Sequence, residues 1–145
     1  MEEILITAMI VVRNEEKYIK TSLESLLQQD FPEEKYEILI IDGESTDKTA
    51  NIIANTLNEY KGKTSIRILK NEKKILAAGW NIGIKEAKGK YVVRIDAHAK
   101  ANKDFLRKNI ETMEQMPADV ACVGGKLTSI SLEEGDKTIG KVLSS

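Results

Sequence analysis

Tyr91-Val92-Val93-Arg94-Ile95-Asp96-Ala97-His98-Ala99 sets an apolar strand directly against an acid, a small residue and the chain's one histidine. In open parallel sheets ligands collect at the carboxyl ends of the strands, so a D-x-H at that position lies where chemistry is usually done. A carboxylate and an imidazole two residues apart can converge on one divalent cation, or share it through water. The competing reading is a solvated loop acid beside a hydrogen-bonding histidine. A cation held there suits a negatively charged substrate, above all a phosphorylated one. Strand alternation puts Val92, Arg94 and Asp96 on one face. Arg94, in an apolar strand, is expected to be buried and to need a partner, either Asp96 or another acid, or a phosphate.

Outward from this stretch, strand-like and helix-like patterns alternate. Strands are expected over residues 4–12, 36–41, 65–69, 90–95 and 119–123, and helices over 15–29, about 45–60, 76–87 and 102–116. Phe31-Pro32, Gly62, Gly89 and Pro117 stop the helices. Ser45 or Thr46 is placed to cap the second helix, with Asp47 in its first turn. The continuous apolar run Ile38 to Ile41 is typical of a strand buried on both faces. Strands alternating with helices imply an α/β fold in three layers, helices on both faces of a mostly parallel, Rossmann-like sheet. Asp42 and Asp96 both end apolar strands, so those strands are expected to be neighbours or near neighbours, with the acids at one edge. Asn14 or Glu15, after the first strand, either caps the following helix or meets a ribose or base at that edge.

Composition narrows the class. The chain has 145 residues, 41% hydrophobic and 31% charged, with net charge −1, as in an ordinary globular domain. It carries no electrostatic footprint for nucleic acid. No apolar run approaches the roughly 20 residues that span a bilayer, and the single cysteine, Cys122, fits a reducing compartment; a cytoplasmic protein is expected. Neither G-x-G-x-x-G after the first strand nor G-x-x-x-x-G-K-[ST] is present, so a nucleotide would be gripped by strand-end side chains and a metal. A nucleotidyltransferase would show a glycine-rich loop where Val11 to Glu16 has none. A nucleotide-binding module without catalysis is the rival from another class.

Four ordered blocks carry a resemblance. Val11-Val12-Arg13-Asn14-Glu15-Glu16, Ile41-Asp42-Gly43-Glu44-Ser45-Thr46-Asp47, Ala77-Ala78-Gly79-Trp80-Asn81-Ile82-Gly83-Ile84 and Gly89-Lys90-Tyr91 with Asp96-Ala97-His98 resemble the nucleotide-binding half of a family 2 inverting glycosyltransferase with the GT-A fold. Glu44 stands where that family has a glycine, and His98 replaces the last acid of its D-x-D. The D-A-H-A form is similar to the branch containing succinoglycan-type exopolysaccharide glycosyltransferases. The resemblance implies sugar transfer from an NDP-sugar, UDP-linked by expectation, to a saccharide or lipid-linked acceptor in polysaccharide biosynthesis.

It also implies residue roles. Val11 and Arg13-Asn14-Glu15 would lie against the base and ribose, and Asp42 would hydrogen-bond the base. Lys73, Lys74 and Asn81 would pass near the ribose and diphosphate. Asp96 would contact ribose or the metal shell, and with His98 would hold Mg²⁺ or Mn²⁺. Many relatives have arginine at the position of Trp80. Residues 1–128 are expected to form the sugar-nucleotide-binding subdomain and 129–145 the start of an incomplete acceptor-side region. The catalytic base, an Asp or Glu, is expected beyond residue 145. The whole enzyme is expected at the inner face of the membrane. Apolar surface around Val120 to Leu127 would favour a homo-oligomer.

Overall fold

A computed structural model describes residues 3–115 and the short strand Ile130–Ser131. The chain runs β1 (Ile6–Val12), α1 (Ile19–Leu27), a 3₁₀ turn (Glu33–Lys35), β2 (Tyr36–Asp42), α2 (Thr49–Glu59), β3 (Ser65–Lys70), α3 (Leu76–Glu86), β4 (Tyr91–Asp96), β5 (Ala99–Lys100), α4 (Phe105–Glu114) and β6 (Ile130–Ser131). Strands β1 to β4 form one parallel sheet in the order β3-β2-β1-β4. β5 and β6 pair antiparallel, an element the sequence pattern did not announce. The expected strand over 119–123, Cys122, the apolar run to Leu127 and the region 132–145 lie outside the described residues.

Alternation along β1 explains the layers. Ile6, Ala8, Ile10 and Val12 bury one face against Ile19, Leu23 and Leu26 of α1, Ile53 of α2 and Phe105, Leu106 and Ile110 of α4. Met9 and Val11, with Leu39 and Ile41 of β2, bury the other against Trp80 and Ile82 of α3. All seven residues of β1 are buried, as a central strand of a two-sided sheet requires.

α3 begins at Leu76 as expected, but the other three helices begin later than the pattern suggests. α1 starts at Ile19 because residues 15–18 form a turn in which the Glu15 carbonyl accepts from the N–H groups of Tyr18 and Ile19. α2 starts at Thr49, so Ser45 and Thr46 do not cap it. Their hydroxyls face Asp42 and Asn14 instead, and Asp47 Oδ1 accepts from the N–H of Thr49 at 2.9 Å. Desolvation acts to raise the Asp47 pKa, but hydrogen bonds from Thr49 and from the Glu16 N–H outweigh it and hold the carboxyl below its ordinary value.

α3 lies close on the sheet because Gly79 has no side chain there. A Cβ at Gly79 would meet Val11 Cγ1 at 2.5 Å and Asn71 Nδ2 at 3.2 Å. Val11 is β-branched and stiff at χ1, so it yields poorly. Gly79→Ala should therefore destabilise despite its better helix propensity. Overpacking of roughly 1–3 kcal/mol is set against about 1 kcal/mol of propensity gain, leaving a net loss of about 1 kcal/mol in urea unfolding. A variant at least as stable as the parent would show that α3 slides to make room.

Candidate functional site

The carboxyl edge of the sheet is where four loops meet. Val12 pairs with Asp42 and Val11 with Asp96, so both acids reach the same edge from strands that flank β1. Alternation sends them off opposite faces: Asp96 follows Arg94 on the α3 side, while Asp42 follows Ile38 and Ile40 on the α1/α2 side. A cleft of about 250 Å³ opens on the α3 side, lined by Val11, Val12, Arg13, Glu15, Asn71, Lys74, Leu76, Asp96, Ala97 and His98.

Two loops are tied together to build it. The Asn14 side-chain oxygen accepts from the Thr46 N–H at 2.7 Å, and the Asn14 N–H donates to Ser45 Oγ at 2.9 Å. Asn14 adopts φ 52° to do this, a left-handed conformation that asparagine tolerates. Arg13 Nε donates to the Gly43 carbonyl at 2.9 Å, and the Glu15 N–H donates to Thr49 Oγ1 at 2.8 Å. Lys74, at φ 65°, brings its backbone against Gly43. Backbone bonds carry β3 into this junction, from Asn71 N–H to the Asp42 carbonyl and from Lys74 N–H to the Asn71 carbonyl.

Chemically the cleft combines two cations, Arg13 and Lys74, with three potential cation ligands, Glu15, Asp96 and His98. His98 Nδ1 stands 3.8 Å from Glu15 Oε1, beyond hydrogen-bond reach, with the imidazole 45% exposed. Among the described residues no group of three His, Cys, Asp or Glu side chains is set to hold a metal alone. The donors present fit a cation that completes its shell with substrate oxygens, a usual arrangement when one or two carboxylates bind a metal together with phosphates. The nitrogen donor suits Mn²⁺ better than Mg²⁺.

Several residues expected at the site stand elsewhere. Asp42 does not line the cleft: its carboxylate accepts from Ser45 Oγ at 2.6 Å, because its face of β2 is turned toward α1 and α2. Asn14 is outside it too, its side chain spent on the loop junction, and Asn81 is exposed on α3 beyond the first turn. Arg94 is on the expected face but exposed, not buried, with its guanidinium carbon 5.3 Å from the Trp80 ring centroid. β4 is one of the two outer strands, and α3 packs over β1 and β2, so among the described residues no helix covers that face of β4, and Val92 is 40% exposed. No ion pair joins Arg94 to Asp96 among the described residues; a cation–π contact takes its place. Asn71, Leu76 and Ala97 line the cleft without having been singled out. For Asn71 the available signal was an asparagine at the end of an apolar strand, the position where ligands gather.

Comparison with known proteins gives a consistent result. The family model for glycosyl transferase family 2 matches residues 7–140. The chain is 41% identical over 141 residues to a dolichyl N-acetyl-α-D-glucosaminyl phosphate 3-β-D-2,3-diacetamido-2,3-dideoxy-β-D-glucuronosyltransferase of Methanococcus voltae, covering 95% of this chain and 43% of that protein. It superposes on the crystal structure of Staphylococcus aureus TarS 1–349 in complex with UDP, at TM-score 0.65 and 27% identity, over 77% of this chain and 32% of that one. A Pyrobaculum calidifontis mannosyltransferase, solved with GDP-Man and Mn²⁺, shares the fold at TM-score 0.69 and 24% identity, with the same two coverages of 77% and 32%. The chain thus spans less than half the length of the curated relatives it matches. No helix among its described residues is long and apolar enough to cross a membrane.

Proposed function

The chain belongs to glycosyltransferase family 2, and from that premise we propose that it is the donor-binding half of an inverting enzyme. The reaction is attack of an acceptor hydroxyl on the anomeric carbon of an NDP-sugar, UDP-linked by preference, with departure of the nucleoside diphosphate. The acceptor is a saccharide or a lipid-linked saccharide in polysaccharide assembly. The observation that carries this reading is one cleft in which Arg13 and Lys74 accompany Asp96, His98 and Glu15. A strongly anionic diphosphate bound with a cation needs both kinds of group.

In this reading Val11 and Arg13 lie along the nucleoside, and Lys74 faces the diphosphate. Asp96 and His98 hold Mn²⁺ or Mg²⁺. When bound, the ion supplies positive charge to the departing diphosphate. The side chains align the anomeric carbon and keep the donor at the sheet edge. Arg94, held against Trp80, adds positive potential on the same face. The acceptor's proton goes to a carboxylate of the acceptor-side half, in the part of the relatives that this chain does not span.

Calorimetric titration of the 145-residue chain with UDP, with and without Mn²⁺, tests the reading. Affinity should rise at least tenfold with Mn²⁺, and His98→Ala should lose most of that gain. Equal affinity under both conditions, unchanged in the variant, would reduce His98 to a surface residue.

A further inference from the structure

We propose that the side-chain oxygen of Asn71 is the acceptor by which this cleft selects the nucleoside part of its donor. The inference rests on the donor-binding reading above and adds a contact to it. Asn71 is 1% exposed, yet it lines the cleft beside Val11, Lys74 and Leu76. Its Nδ2 donates to the Ile75 carbonyl at 2.9 Å. That bond fixes which way the amide points, with nitrogen toward the backbone that opens α3 and oxygen away from it. Oδ1 is buried and has no hydrogen-bond partner among the described residues. Buried amide oxygens are nearly always satisfied, and an unsatisfied one in a binding cleft marks a place where a ligand or a water completes it.

The chemistry of the missing partner follows from the atom. An amide oxygen only accepts, so its partner must donate a hydrogen bond. Phosphate oxygens of a diphosphate only accept and are excluded; an amide oxygen that ligated the cation would weaken pyrophosphate and UDP alike when lost, and the titrations below separate that case. What remains on a nucleotide is an N–H of the base or a hydroxyl of the ribose. The surroundings hold Asn71 rigidly for this purpose. Its N–H is bonded to the Asp42 carbonyl, its carbonyl accepts from Lys74, and Gly79 leaves the room in which the amide sits. A site built to receive a donor discriminates strongly against ligands that lack one, because the buried acceptor is then left unpaired.

The test is Asn71→Leu titrated with UDP, with 3-methyluridine diphosphate, with 2′-deoxyuridine diphosphate and with inorganic pyrophosphate, each with Mn²⁺. UDP affinity should fall roughly three- to tenfold, and pyrophosphate affinity should not change. The analogue that binds the native chain more weakly than UDP, and loses nothing further in Asn71→Leu, names the donor as base or ribose. An equal fall for UDP and pyrophosphate would mean that Asn71 acts only through the cation or the loop carrying Lys74, and no fall would remove it from the site; either result overturns the proposal. If the variant does not fold, a UDP-bound structure of the native chain decides. A nucleoside N–H or O–H within about 3.2 Å of Oδ1 upholds the contact, and a water there refutes it. Failure of UDP to bind the native chain at all would instead overturn the donor-binding reading itself.

Discussion

Asp96→Asn should abolish almost all of the Mn²⁺-dependent part of UDP binding, about a hundredfold in affinity at saturating metal. The carboxylate ends β4 at the edge of the cleft, in register with Val11 of the central strand, and its position is therefore fixed by the sheet. Asparagine keeps the volume and one oxygen but removes the charge, so the sheet edge should be unaltered while the cation loses its anionic protein ligand. The two halves of the prediction separate a metal role from a direct ribose contact. Metal-free UDP affinity should be almost unchanged, because the nucleoside and Arg13 contacts do not involve the charge of Asp96. A parallel loss with and without Mn²⁺ would show that Asp96 meets the sugar directly, and the cation would then have to be placed on His98 and Glu15. Melting temperature measured beside the titration guards against a trivial loss of structure.

The apolar runs of β1 and β2 made the parallel sheet legible, because strands buried on both faces leave little room for another reading. The acids that end β2 and β4 gave the functional edge. Boundaries were harder to read. Residues 15–18 and 45–48 are polar and helix-compatible in composition, yet they form turns, because Asn14, Glu15 and Glu16 bond across to Ser45, Thr46, Asp47 and Thr49 of the other loop. Such bonds join residues about thirty positions apart and leave no periodic trace. Arg94 was misread through a sound rule applied to the wrong strand. An arginine in an apolar run is buried only if both faces are covered, and α3 does not extend over β4. Asp42 illustrates the limit of edge reasoning, since two acids can end strands on either side of β1 and still leave the sheet on opposite faces.

Glu37 shows the same limit at the other end of the sheet, and its replacement carries a large expected cost. It interrupts the apolar run of β2, is 1% exposed, and stands beside Thr7 of β1 in register. Its carboxylate accepts from Thr7 Oγ1 at 2.7 Å, from the Lys88 N–H at 2.8 Å and from the Arg67 guanidinium at 3.0 Å. Thr7 Oγ1 in turn accepts from the Gly89 N–H at 2.8 Å, where a Cβ on Gly89 would meet the Thr7 backbone nitrogen at 2.5 Å. One buried carboxylate thus pins the α3–β4 connection and β3 to the amino edge of the sheet. Glu37→Ala strands three donors, and removing one partner of a buried ion pair costs about 3–5 kcal/mol. Because Arg67 is 26% exposed and can turn to water, the lower end, about 3 kcal/mol in urea unfolding, is expected. Glu37→Gln keeps the volume and one acceptor and should lose less than half as much. Removing Arg67 as well should recover part of the loss, since the two substitutions share one interaction. The strut at Thr7 lies four residues down β1 from Val11, the nearest residue of that strand to line the cleft, so variants that remain folded should bind UDP with native affinity. A Glu37→Ala chain within about 1 kcal/mol of the parent would mean that the α3–β4 connection is held by the backbone alone.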